Sequence, residues 1–84
     1  MRELTTEERK ILDQHALWLS SGEAEGERAD LHGADLHGAN LCGVNLCWGD
    51  LSHTDLSSAS LQGANLCCVN LRYAKALDHQ VFVL

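Results

Sequence analysis

The side chains able to do chemistry in this sequence are thiols, imidazoles and carboxylates. Cys42, Cys47, Cys67 and Cys68 could bind zinc or act as nucleophiles. His32, His37 and His53 could serve as ligands or bases. A structural zinc site asks for paired cysteines two residues apart. The intervals here differ: four residues separate Cys42 from Cys47, and Cys67 adjoins Cys68. The three histidines fall short of a ligand set and read as exposed side chains. A Cys–His hydrolase also needs a cleft and an oriented base. Neither a P-loop nor a Gly-rich dinucleotide motif is present. These residues argue against an enzyme, and they imply no metal and no cofactor.

The carboxylates are more suggestive. Asp30, Asp35, Asp50 and Asp55 fall in a stretch, Ala29 to Leu71, that contains no Lys or Arg. Glu23, Glu25 and Glu27 come just before it. The chain carries a net charge of −6, which disfavours nucleic acid as a direct partner and favours a basic protein surface. Asp at such positions also makes local hydrogen bonds and aids solubility. The missing basic residues favour a working surface, so these seven residues are the candidate partner-binding set.

What positions them is a strict interval. Nine leucines, Leu31, Leu36, Leu41, Leu46, Leu51, Leu56, Leu61, Leu66 and Leu71, recur every five residues. Two residues before each stands a small side chain: Ala29, Ala34, Ala39, Val44, Gly49, Thr54, Ala59, Ala64 and Val69. A period of five fits neither the helix nor the flat strand, and an internal repeat of this length outranks local propensity. The units, Ala29-Asp30-Leu31-His32-Gly33 through Val69-Asn70-Leu71-Arg72-Tyr73, resemble the pentapeptide-repeat family. The resemblance implies an all-β solenoid, a right-handed quadrilateral β-helix. One pentad makes one side, four pentads make a coil, and the leucine and the small residue point inward. On that geometry Asp30 stacks on Asp50, and Asp35 on Asp55, on two adjoining faces. Cys47 stacks on Cys67, and Trp48 points outward beside Cys68. The thiols are expected to be free. Thr54 lies inward, where its hydroxyl can bond a local carbonyl.

The organisation expected is a helix and loop capping the coil over residues 1–28, the β-helix over 29–75 and an apolar tail over 76–84. Thr5 and Glu8 have capping-box spacing, which predicts a helix within residues 5 to 20. Ile11, Leu12, His15, Ala16 and Leu19 mark its buried face, with Trp18 beside it and Gly22 as its stop. His15 reads as a packed, hydrogen-bonded residue. Val81 to Leu84 could fold over the lower coil end or pair with a second copy, giving a monomer or a homodimer.

Some pentapeptide-repeat proteins present acidic surfaces that occupy the DNA site of gyrase. The resemblance therefore implies a DNA-mimicking inhibitor, with a basic nucleic-acid-binding protein as partner: a CRISPR effector, as for phage anti-CRISPR proteins, or a topoisomerase. A passive structural or dimerisation module without inhibitory activity and a DNA gyrase-interacting pentapeptide protein are the alternatives. No apolar run is long enough to span a bilayer and the N-terminus is charged, so a cytoplasmic protein without membrane contact is expected. Because the four aspartates point outward, replacing them with Lys is expected to leave the fold intact.

Overall fold

The computed structural model describes residues 2–75. From Ala29 onward the chain turns every five residues. The Leu31 carbonyl accepts the Ala34 N–H at 3.0 Å and closes a tight turn over His32 and Gly33. Gly33 has φ +71, the left-handed value that a type II turn requires at its third position. The same bond recurs from Leu36 to Ala39, Leu56 to Ala59 and Leu61 to Ala64.

After four such turns the chain lies against itself. Parallel bridges join Asp30 to Asp50, Asp35 to Asp55, Asn40 to Ser60 and Asn45 to Asn65, an interval of 20 residues. The pairing continues from Asp50 to Asn70 and from Asp55 to Lys75. Each coil is thus four-sided. Every side repeats the same ladder. Leu31 N–H donates to the Asp50 carbonyl at 2.9 Å, Asp50 N–H to Ala29 at 3.0 Å, and Gly33 N–H to Ser52 at 2.9 Å. Turns occupy so much of each pentad that a side holds one bridged residue and no extended strand. The single continuous element among the described residues is helix α1, Thr6–Ser20.

The coil is filled by the leucines. Leu36, Leu41, Leu46, Leu51 and Leu56 are fully buried, each contributing about 1.5–3 kcal/mol of hydrophobic stabilisation. Ala29, Ala39 and Ala59 share the interior, because only a small side chain fits beside a leucine on each side of the square. Thr54 is buried as well, and its hydroxyl donates to the Leu51 carbonyl at 2.7 Å. In the lower part of the coil Leu61 and Leu71 are half-buried.

Helix α1 begins at a complete capping box between Thr5 and Glu8. Past its end, Glu23 N–H bonds the Trp18 carbonyl and Gly22 N–H the Leu19 carbonyl, a Schellman arrangement with Gly22 at φ +67. Ile11 and Leu12 pack against the leucine core. Ala16, expected on the buried face, is exposed. His15, expected on the same face, is buried completely. His15 Nε2–H donates to the Cys47 carbonyl at 2.9 Å, and Nδ1 accepts the Ala29 N–H at 2.9 Å. The ring stacks on Trp18 with centroids 5.6 Å apart. This neutral imidazole ties the helix to two places on the coil. Burial pushes its pKa down; the Cys47 bond opposes that shift and Arg28 adds to it.

Arg2 adds a rung that the repeat does not announce. It bridges Ala39 in parallel, donating its N–H to Gly38 at 2.6 Å and accepting from Asn40 at 2.8 Å. It thereby covers part of the upper coil edge. The apolar tail 76–84, and with it the question of a dimer, lies outside the described residues. No helix among the described residues is long and apolar enough to cross a membrane.

Replacing Leu51 with Asp should abolish cooperative thermal melting, since an unpaired buried carboxylate costs on the order of 5 kcal/mol. A sharp melt in that variant would show that the inward column is misplaced. His15 should make stability pH-dependent. Its folded pKa lies below the ordinary 6.5, so its contribution is complete above about pH 6.5 and is lost as pH falls through the depressed value. The difference in melting temperature between wild type and His15→Gln should therefore shrink from pH 7.5 to pH 5. A difference constant with pH would contradict the neutral bridging imidazole.

Candidate functional site

Every Asp or Asn at the bridged position does the same local work. Asp30 Oδ1 accepts the His32 N–H at 3.1 Å, Asp35 the His37 N–H at 3.0 Å, Asp50 the Ser52 N–H at 2.9 Å and Asp55 the Ser57 N–H at 2.9 Å. Asn40, Asn45, Asn65 and Asn70 make the equivalent bond two residues on. Each side chain satisfies a turn amide that the ladder leaves free, as short polar side chains do. The expectation that Lys could replace the four aspartates without harm is therefore corrected. Lys has no acceptor, so all four turns would lose this bond.

The carboxylates also form the stacked pairs expected, Asp30 over Asp50 and Asp35 over Asp55. Asp30 and Asp35 are exposed, while Asp50 and Asp55 are half-buried. Hydrogen bonds from Ser52 hold the Asp50 carboxyl below the usual carboxylate range, helped by His32 and Arg28. Bonds from Ser57 do the same for Asp55, helped by Lys75 and His37.

Basic residues reach this array through the fold. Lys75 bridges Asp55, Arg28 acts on Asp50, and the Arg2 guanidinium donates to the Asp35 carbonyl at 3.2 Å while pairing with Glu8 at 3.0 Å. A search along the chain from Ala29 to Leu71 misses all three, because each lies outside that window. Of the glutamates, Glu27 joins Asp30 in lining a shallow cavity of about 230 Å³ with Lys10, Ile11, Gln14 and Arg28. Glu23 and Glu25 are exposed, with their backbone N–H groups bonded to Trp18 and Ser21 at the helix end.

The imidazoles and thiols settle into the ladder. His32 Nδ1 lies 2.9 Å from Ser52 Oγ, and His37 Nδ1 2.7 Å from Ser57 Oγ, each spanning adjacent coils. All four cysteines are free thiols. Cys67 Sγ and Cys68 Sγ are 3.7 Å apart, and burial with the neighbouring Cys67 raises the Cys47 pKa. No group of three or more His, Cys, Asp or Glu side chains suited to a metal ion occurs among the described residues.

One feature escaped the sequence reading. The last residue of every pentad has positive φ, and at Trp48, His53, Ser58, Cys68 and Tyr73 that residue is not glycine. Each costs roughly 1 kcal/mol relative to glycine. The signal lay in Gly33, Gly38, Gly43 and Gly63, which share the position. His53 stacks on Tyr73 at 4.9 Å, and His32 meets His53 edge-on at 5.1 Å.

Comparison with known proteins places this geometry. Residues 22–46 and 50–76 match the family of pentapeptide repeats, in eight copies. Among solved structures, the chain is similar to HetL, a pentapeptide repeat protein involved in heterocyst differentiation regulation from the cyanobacterium Nostoc sp. strain PCC 7120. The TM-score is 0.59 at 36% identity, covering 73% of this chain and 24% of HetL. It is also similar to Rfr23, a pentapeptide repeat protein from the cyanobacterium Cyanothece 51142, at 34% identity and a TM-score of 0.31, over 64% of this chain and 40% of Rfr23. The chain thus spans about a quarter of HetL and two fifths of Rfr23. No curated protein matches it.

The double use of the carboxylates makes a prediction. Asp50→Asn and Asp55→Asn keep the turn acceptor and should melt close to wild type. Asp50→Ala and Asp55→Ala remove it and should melt several degrees lower. Equal melting of the Ala and Asn forms would show that the turn bonds contribute nothing.

Proposed function

The chain belongs to the pentapeptide-repeat family, and from that premise we propose that it is a non-enzymatic interaction protein whose acidic faces bind a basic surface on another protein. The observation that carries this reading is the stacking of Asp30 on Asp50 and of Asp35 on Asp55 on adjoining faces. Asp50 and Asp55 are held in the ionised form by their serine partners. Each aspartate commits Oδ1 to its turn. Asp30 and Asp35, the exposed pair, keep Oδ2 for a partner. In its finer form the reading is DNA mimicry. The protein inhibits a basic nucleic-acid-binding protein, a CRISPR effector or a topoisomerase, by occupying its nucleic-acid site. DNA carries one charge per ~1.7 Å of axis, so a cleft built for it attracts dense carboxylates. Two coils and the start of a third, rising ~4.8 Å per rung, make a compact patch. Such a patch suits a local basic pocket better than a long duplex track. HetL takes part in regulating heterocyst differentiation. A regulatory contact with another protein is the activity that this similarity supports here.

A second reading is a structural or dimerisation module. Its support is the lower coil, where Leu61 and Leu71 are half-buried while Leu41 and Leu51 above them are fully buried. Such assembly should be insensitive to salt.

The discriminating experiment uses the quadruple variant Asp30→Asn, Asp35→Asn, Asp50→Asn and Asp55→Asn, which retains every turn acceptor. Immobilised wild type should capture a basic nucleic-acid-binding protein from lysate of the source organism. Short duplex DNA and about 0.5 M salt should each release it, and the Asn variant should lose at least a hundredfold in affinity, the scale of several lost charge contacts. Capture by the Asn variant at wild-type strength, or capture that DNA does not displace, would overturn the mimicry reading.

A further inference from the structure

His32, His53 and Tyr73 form a column of rings at the corner between the two acidic faces. The corner follows Asp30 and Asp50 in each coil and precedes Asp35 and Asp55. Three coils contribute: His32 from the first, His53 from the second and Tyr73 from the third, with centroid spacings of 5.1 and 4.9 Å. Burial does not account for the rings, since Tyr73 is 78% exposed and His32 and His53 are exposed as well. Backbone preference does not account for them either. His53 and Tyr73 sit at φ +60, where Gly33 occupies the same corner one coil above His53 without strain. Exposed rings, two of them held at unfavourable dihedrals, point to a role outside the fold.

We propose that this ring column anchors an arginine side chain of a basic partner protein. The flanking charge selects the occupant. An apolar group would leave carboxylates beside it on both sides, and an anion would be repelled by them. A guanidinium is planar, lies flat against a ring face and turns its N–H edge toward carboxylates. The ammonium of lysine lacks the flat face and the fork. Arg72 and Lys75 make the third rung positive, so an incoming cation settles toward the upper two rungs, between the aspartates. The inference rests on the acidic-surface reading and adds to it the residues that choose arginine.

The test titrates the protein with deca-arginine and deca-lysine peptides at low salt, followed by calorimetry. Both peptides should bind wild type, with deca-arginine about tenfold tighter, the scale of a partly desolvated cation–π contact. The double variant His53→Gly, Tyr73→Gly places glycine where the backbone favours it. It should melt no lower than wild type, and it should bind both peptides with the affinity wild type has for deca-lysine. Trp48→Gly, which relieves the same strain at another corner, should keep the tenfold ratio. Equal binding of the two peptides to wild type overturns the inference and leaves the acidic-surface reading standing. So does a ratio that survives in the double variant, or one that disappears in Trp48→Gly. Binding of neither peptide to wild type overturns both.

Discussion

The twenty-residue register is the constraint on which the rest of the structure depends. Because each residue from Ala29 onward lies over the one twenty positions later, one pentad pattern decides the core, the turns and the surface together. The leucines become inner columns, the bridged Asp and Asn residues become outer columns, and the last residues of each pentad become corners. A shift of one residue would send the leucines outward and break the turn bonds at once. Small solenoids depend on this coupling, because each coil buries its apolar surface only against its neighbour.

The aspartates show how one position serves two ends. Asn satisfies the turn amides on the remaining faces as Asp does on the acidic ones. The choice of Asp at Asp30, Asp35, Asp50 and Asp55 therefore adds charge without altering the turn. It also sets like charges on adjacent rungs, an arrangement that costs stability. Serine and imidazole groups offset part of that cost at Asp50 and Asp55, and the rim cations Arg2, Arg28 and Lys75 bound the array. The corner rings follow the same logic, since they occupy positions where glycine would be less strained.

Much of this was legible in the sequence because the repeat converts spacing into position. The inward leucines, the stacked aspartates, the buried Thr54 hydroxyl and the capping box of α1 all follow from short-range pattern. Arg2 was not legible: a single residue with no repeat around it gives no sign that it pairs with Ala39. His15 was read as packed, yet its two bonds link the helix to Ala29 and Cys47, contacts that no local pattern encodes. The balance of charge was misjudged for a related reason. Electrostatic neighbours in a coil lie twenty residues apart or enter from outside the repeat, so a linear window counts the wrong ones. The strained corners stayed hidden because five of the positions carry ordinary side chains instead of the glycine that marks the rest.

The register itself can be measured most directly by nuclear Overhauser contacts in solution. The backbone protons of Asp30 and Asp50, of Asp35 and Asp55, and of Asn45 and Asn65 are bridged partners. The account predicts strong contacts within each of these pairs and none between Asp30 and Asn45. Contacts at fifteen or twenty-five residues, or their absence in a folded sample, would contradict it, and with it the stacked acidic columns on which the proposed function stands.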